Sequence, residues 1–333
     1  MEKFRVISDL HLDINEHYPI ELKDDVFTVI CGDTSGYPNM SIDWIKKNAK
    51  CGVGVSGNHL PYNDENKPIQ ELREELAKAF PAEASFTYLD CETGVFTKEV
   101  DGILFIGTCM YTNMRVKHQH WNPDGDKEIN MRGSEYNMND YHWGIKSISY
   151  PLGPENGCTK KHITAQDYMD WFINAYNKIE KVLNQNEALE SPKPVVLITH
   201  HPVIVEPAYH NWYMEDPNSI YRARDYNLAS YVSDMQQWLV RHNSIKCYCY
   251  GHIHAVEESW RNYKLQHADG SEMLVVNNAR GYVMRGHDNR FMANVFVNTK
   301  TWEVEKVADC EEEEEAEKKK REKAFLKNLA WAI

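Results

Sequence analysis

Short apolar runs recur along the chain, each followed by a polar or glycine-bearing break. Phe4 to Ile7, Val26 to Cys31 and Val53 to Val55 read as buried strands. The stretches between them, near Ser41 to Lys50 and Pro68 to Phe80, space their apolar residues as helices do. This alternation predicts a βαβαβ unit. Further strands are expected at Ile103 to Gly107, Val195 to Thr199, Lys246 to Tyr250, Met273 to Val276, Asn294 to Asn298 and Trp302 to Val307. A helix starting at Thr164 has a capping-box pattern with Asp167. Its apolar positions, Tyr168, Trp171, Phe172, Ala175, Ile179 and Val182, would pack on a sheet face. Another helix is expected over Leu228 to Arg241.

The breaks after the strands carry the chemistry: Asp9-Leu10-His11, Gly32-Asp33, Gly57-Asn58-His59, His200-His201 and Gly251-His252-Ile253-His254. Imidazole nitrogen and carboxylate oxygen suit divalent first-row metals, and two such ions about 3.5 to 4 Å apart need a ligand that bridges both. Side chains two apart on an extended strand end point the same way, so Asp9 and His11 can reach one ion together. His252 and His254 share that spacing. Gly32, Gly57 and Gly251 fit places where the backbone turns sharply beside the ions. In open α/β sheets, ligands sit outside the carboxyl ends of the strands, so groups far apart in sequence can converge on one rim.

At these residues the chain resembles the calcineurin-like metallophosphoesterase superfamily, whose signature is D-x-H, G-D, G-N-H, H and G-H-x-H in that order. The resemblance spans about residues 3 to 300 and implies a four-layer α/β/β/α sandwich with a dinuclear metal site at the C-terminal strand ends. It also implies that Asp9, His11, Asp33 and His254 hold a first metal and that Asp33, Asn58, His200 and His252 hold a second, with Asp33 as the bridge. His59 would sit beside the metals to bind the phosphate or protonate the leaving oxygen, and His201 would stand behind the ligands. Leu60 occupies a position that is usually Asp or Glu in the family. That departure weakens tuning of His59 more than it threatens metal binding.

A bacterial subgroup is similar in further stretches: Gly107-Thr108-Cys109-Met110-Tyr111-Thr112-Asn113, Met138-Asn139-Asp140-Tyr141, Thr164-Ala165-Gln166-Asp167, Thr199-His200-His201-Pro202 and Asn278-Ala279-Arg280-Gly281-Tyr282. Asn113 departs from the Asp of that pattern.

The implied activity is a metal-dependent phosphoric ester hydrolase using direct attack of a metal-bridging hydroxide on a small phosphate ester, with phosphodiesters favoured. The catalytic residues would be His59, Asp33 and Asn58. The N/O ligand set points to two divalent ions, Mn first, with Fe, Zn, Co or Ni compatible. Alternatives are a phosphomonoesterase, a nuclease and a non-catalytic metal-binding scaffold. Contacts to substrate are expected from His59, His201, Asn139, Asp140, Arg280 and Tyr282.

Residues 1–308 are read as one catalytic domain. Its insertion, 111–163, is rich in Tyr, Trp, His and Asn, and is read either as a cap over the site, with Met138-Asn139-Asp140-Tyr141 or the nearby Arg132 and His142 facing substrate, or as a packed Ω-like loop. His118 and His120 repeat the His-x-His spacing but lack a carboxylate and are read as exposed. Tyr209, His210, Trp212 and Tyr213 follow the His200 block at the cleft. Residues 309–333 form a charged tail, with Glu314 and Glu315 placed i,i+4 from Lys318 and Lys319, expected to be helical. Its stripe of Phe325, Leu326, Leu329 and Ile333 would dock on its own domain, drive self-association or, third in order, lie at a membrane surface.

Composition narrows the setting. The 333 residues are 42% hydrophobic and 26% charged, ordinary for a globular protein with an ample core, and no apolar stretch suggests a membrane span. The net charge of −13 argues against a broad nucleic-acid footprint, which Lys and Arg would have to supply. The first strand runs directly into Asp9, leaving no room for a cleaved leader. The eight cysteines show no paired framework, and a reducing cytoplasm is the expected setting.

Overall fold

The computed structural model describes residues 1–306 apart from 23, 63–66, 118–121, 143–145, 150–158, 210–227, 255, 257 and 287–290. In chain order the strands are β1 (Lys3–Ile7), β2 (Thr28–Cys31), β3 (Gly52–Val55), β4 (Phe86–Tyr88), β5 (Thr97–Val100), β6 (Ile103–Thr108) and β7 (Lys146–Ser149). They continue with β8 (Thr159–His162), β9 (Val195–Thr199), β10 (Ile245–Tyr250), β11 (Asn262–Gln266), β12 (Glu272–Asn277), β13 (Val295–Asn298) and β14 (Glu303–Lys306). One six-stranded sheet has the order β14-β13-β1-β2-β3-β4, and the other has β11-β12-β10-β9-β6-β5. In the first, β1 to β4 are parallel and β13 returns antiparallel beside β1. In the second, β6, β9, β10 and β12 are parallel, with antiparallel edge strands β5 and β11.

The sheets face each other through Phe4, Val6, Val29 and Val53 on one side and Phe105, Val196, Ile198 and Leu274 on the other. Strands buried on both faces read as continuous apolar runs, as the sequence does at β2 and β9. On the outer face of the first sheet, Ile45 of helix α1 (Pro38–Asn48) and Leu72 and Leu76 of helix α2 (Ile69–Ala79) cover Ile7, Ile30 and Tyr88. The outer face of the second sheet is covered by Phe172, Ala175, Ile179 and Leu183, which belong to the long helix Ala165–Glu187. The layers therefore run helix, sheet, sheet, helix. Truncating a fully buried residue such as Ile198 to Ala should cost about 2–5 kcal/mol.

The Ala165–Glu187 helix begins as expected: the Thr164 amide donates to Asp167 Oδ2 at 2.8 Å and the Asp167 amide donates back to Thr164 Oγ1 at 3.4 Å. The expected helix over Leu228 to Arg241 is instead two short pieces, Leu228–Tyr231 and Gln236–Arg241. Between them the amides of Ser233 and Met235 donate to the carbonyls of Pro202 and Val203, which removes them from the helical ladder. The segment 111–163 is not a bare loop. It contains helix α3 (Lys127–Asn137), the short helix α4 (Asn139–His142) and the hairpin β7–β8.

Among the described residues, no helix is long and apolar enough to cross a membrane. Cys31, Cys109, Cys247 and Cys249 are buried free thiols. His118, His120, Trp121, Trp143, Tyr150, His210, Trp212, Tyr213 and the 309–333 tail lie outside the described residues.

Candidate metal centre

Both parallel strand sets end at the same rim, and the motif residues follow β1, β2, β3, β9 and β10 there. A bridge between Ser8 and Ala279 joins the two sheets at this edge, reinforced by the amides of Arg280 and Gly281 donating to the carbonyls of Ser8 and Asp9. Asp9, His11, Asp33 and His252 adopt left-handed φ values of 53°, 44°, 48° and 67°. Such conformations in non-glycine residues cost on the order of 1–3 kcal/mol each and persist only where surroundings enforce them.

The glycines act mainly through close approach. A Cβ on Gly57 would fall on the Asp33 carboxylate, and one on Gly251 would strike Ser8 Oγ, the Cys31 carbonyl and Asp9. Of these three motif glycines, only Gly32 combines such crowding, against the His200 ring, with a left-handed φ of 95°. The expected sharp turn thus holds at Gly32, whereas Gly57 is required because the Asp33 carboxylate, and Gly251 because Ser8 Oγ, the Cys31 carbonyl and Asp9, lie where a side chain would be.

Three groups of side chains present ligand atoms within 4.8 Å of one another: Asp9, His11 and His254; His11, Asp33 and His59; and Asp33, His200 and His252. Asp33 Oδ2 lies 3.3 Å from His200 Nε2, 3.9 Å from His59 Nε2 and 4.0 Å from His11 Nε2. His254 Nε2 is 3.0 Å from Asp9 Oδ1, and Asn58 Oδ1 is 3.0 Å from His200 Nε2.

Two pairs of ring nitrogens face each other at 3.2 Å, His11 Nε2 with His254 Nε2 and His252 Nδ1 with His200 Nε2. That separation is the edge of a coordination shell with metal–nitrogen bonds of about 2.1 Å, roughly 3.0 Å for octahedral and 3.4 Å for tetrahedral geometry. His252 Nε2 and His11 Nδ1, on the far sides of these rings, are buried without a hydrogen-bond partner among the described residues. Donor types, spacing and convergence all fit divalent cations.

The electrostatics fit ion binding at His11, His252 and Asp33, whereas His200 is held in a range where it carries a proton that an ion must displace. Burial, and then the other histidines, push His11 and His252 well below the usual imidazole value, leaving them neutral as ligands must be. Burial works against ionisation of Asp33, but His200, His59 and His11 outweigh it and hold the carboxyl well below its usual range. The Asp33 carboxylate in turn lifts His200, against its burial, to about 9.

The remaining expected site residues fall into two sets. His59 stacks on Tyr62 with ring centroids 4.0 Å apart, and the Tyr282 hydroxyl is 3.3 Å from His59 Nε2. The Tyr282 ring also lies 4.7 Å from that of His11, which places it beside both rings. Leu60 is buried in the helix–sheet cluster, and His59 Nδ1 has no partner among the described residues. Asn139 is exposed at the start of α4.

Three expected substrate contacts require correction. Arg280 is 2% exposed and its Nη2 donates to the Tyr18 carbonyl at 2.6 Å, which fixes the rim loop. His201 is fully buried with its ring 4.2 Å from that of His252, behind the ligand. Asp140 is fully buried too, and accepts from Asn58 Nδ2, at 3.1 Å to Oδ1 and 3.2 Å to Oδ2, and from the hydroxyls of Tyr62 and Tyr168. Burial raises its pKa against the opposing pull of these donors. His142 is exposed and binds the Tyr136 carbonyl at 2.9 Å.

Two contributors were not singled out by the sequence. Tyr62 is a third residue after the Gly57-Asn58-His59 block, on a turn closed by its amide to the His59 carbonyl at 2.9 Å. Tyr168 reads as one more apolar position of its helix, yet its hydroxyl binds Asp140. The aromatic that closes the turn after His59 was the available signal for the first; helical periodicity hid the second.

No protein-family model matches the chain. No curated protein matches it either. Its fold is similar to that in the crystal structure of phosphopantetheinyl hydrolase from Mycobacterium tuberculosis, with a TM-score of 0.55 and 15% identity over 84% of this chain and 89% of that one.

Proposed function

We propose that this protein is a dinuclear metal-dependent phosphoesterase of the calcineurin-like kind, acting on a small phosphate ester, with phosphodiesters favoured. The observation that carries the reading is the position of Asp33, whose Oδ2 is 3.3 Å from His200 Nε2 on one side and 4.0 Å from His11 Nε2 on the other. A carboxylate so placed suits a bridge between one ion held by Asp9, His11 and His254 and another held by Asn58, His200 and His252. Bound divalent ions, Mn first among them, would supply charge stabilisation of the phosphoryl oxygens and a nucleophile from water at neutral pH. The name of the structural neighbour, a phosphopantetheinyl hydrolase, agrees with hydrolysis of a phosphate-bearing group.

The chain's own residues do the rest. His59 stands at the edge of the ligand cluster with Nε2 toward Asp33, where it can pass a proton to the departing oxygen. The Tyr282 hydroxyl beside Nε2 and the Tyr62 ring beneath the imidazole hold it there. Asn58, as a neutral ligand, would leave its ion a stronger electrophile than a second carboxylate would.

The test is turnover of bis-p-nitrophenyl phosphate against p-nitrophenyl phosphate with Mn, with Asp33→Asn as control. Diester preference, lost together with ion binding in the control, is expected. Full activity of Asp33→Asn would overturn the reading.

A further inference from the structure

The Asp140 carboxylate comes from the 111–163 insertion, yet it ends under a ligand of the central sheet, 82 residues away in sequence. Both of its oxygens face Asn58 Nδ2, and each also accepts one tyrosine hydroxyl, Tyr62 at Oδ1 and Tyr168 at Oδ2. A carboxylate has about four lone-pair sites, and here four donor contacts occupy them. Every neighbour donates, which is the environment of an acceptor-only group.

The consequence falls on Asn58. The two ends of a carboxamide have nearly the same shape, so only its hydrogen bonds decide which end faces which way. Only the oxygen end can ligate a cation. With Nδ2 drawn onto Asp140, Oδ1 is left 3.0 Å from His200 Nε2, facing the ligand cluster. The flipped amide would set Oδ1 against the Asp140 carboxylate and turn an N–H toward the ion.

We propose that Asp140 is the positioning residue that fixes the Asn58 carboxamide oxygen-inward, so that the insertion governs occupancy of the ion site built on Asn58, His200 and His252. This rests on the two-ion reading above. Asp140→Asn would bring in an N–H₂ that competes with Asn58 Nδ2, and the lock would be lost. Combining it with Asn58→Asp restores the lock, because the amide and the carboxylate then change places: the introduced amide donates, and the introduced carboxylate accepts with one oxygen while its other oxygen still faces inward.

The experiment is calorimetric titration of the metal-stripped full chain with Mn, with ion content counted by mass spectrometry after gel filtration. The unaltered protein should take up two ions. Asp140→Asn should keep the first affinity and weaken the second by about 10–100-fold, the usual effect of losing a ligand's outer partner. The exchange Asn58→Asp with Asp140→Asn should recover most of that loss, which a merely structural role for Asp140 would not do. Tyr168→Phe, which removes one hydroxyl from Asp140, should weaken the same ion by less, and decides the matter if Asp140→Asn does not fold. Two ions bound by Asp140→Asn at unaltered affinity, or equal weakening of both ions without recovery in the exchange, would overturn the role while leaving the two-ion reading intact. For Tyr168→Phe, unchanged affinity for both ions would do the same. A single ion in the unaltered protein would overturn the two-ion reading itself and this role with it.

Discussion

The main-chain amide of His252 donates to both carboxylate oxygens of Asp9, at 3.1 and 3.0 Å, across 243 residues of sequence. This contact ties the end of β10 to the end of β1 and turns Asp9 Oδ1 toward His254 Nε2. It requires the backbone at Gly251 to pass against Asp9 without a side chain. Gly251→Ala should therefore lower stability by about 1–3 kcal/mol through overpacking and displace a ligand. Thermal melting with ion counting checks this: a lower Tm together with loss of bound Mn is expected, and unchanged ion content would contradict the account.

In the function proposed above, His59 stands beside Asp33 as a proton donor and not as a ligand. His59→Ala should retain both ions and slow diesters with poor leaving groups by about 10²–10⁴-fold, while good leaving groups are affected far less. A series of aryl diesters of graded leaving-group pKa measures this as a steeper dependence on that pKa. Loss of the ions, or equal slowing across the series, would remove the proton-donor role.

Arg280 is buried and its Nη2 donates to the Tyr18 carbonyl. Arg280→Met should lower stability by about 1.5–3 kcal/mol, the worth of a buried hydrogen bond to a charged group. KM for a phosphate ester should change little in the folded fraction. A large rise in KM with unaltered Tm would instead place Arg280 on the substrate.

Away from the site, the Trp238 indole, Arg241, His242 and Asn184 overcome the effect of burial and hold the Glu180 carboxyl down to about 2, from an ordinary 4.5. A depressed carboxyl stabilises the fold above its unfolded pKa, and that stability is lost as pH falls through the folded value. Melting temperature should thus decline between about pH 4.5 and 2, and Glu180→Gln should flatten that part of the profile. An unaltered acid limb in Glu180→Gln would exclude this source.

The strands that carry ligands were legible in the sequence because they are buried on both faces and read as unbroken apolar runs. The edge strands β5 and β11 were not: their residues are mostly half-exposed and polar, as in Thr97–Val100 and Asn262–Gln266. The ligand motifs were equally legible, since each is a short local word at a strand end. Asp140 was legible as notable but not as to its role, because what it touches is set by residues 78, 82 and 28 positions away. Arg280 and His201 were read as substrate contacts for a related reason: their residue types suit a phosphate site, and only the packing shows that both are buried, with Arg280 Nη2 on the Tyr18 carbonyl and His201 Nδ1 beside Cys109 Sγ.

The order of strands in the first sheet bears on how the protein comes into being. β1 precedes the other described strands, yet one of its two neighbours is β13, paired through Lys3 with Asn298 and Arg5 with Phe296. Until that partner emerges from the ribosome, β1 presents an apolar edge able to recruit another strand. Asp9 and His11 at its tip likewise wait for β10 to deliver His252 and His254. The cluster is thus completed only once the chain has grown through His254, 245 residues beyond Asp9, and long-range pairing of this kind makes for slow folding.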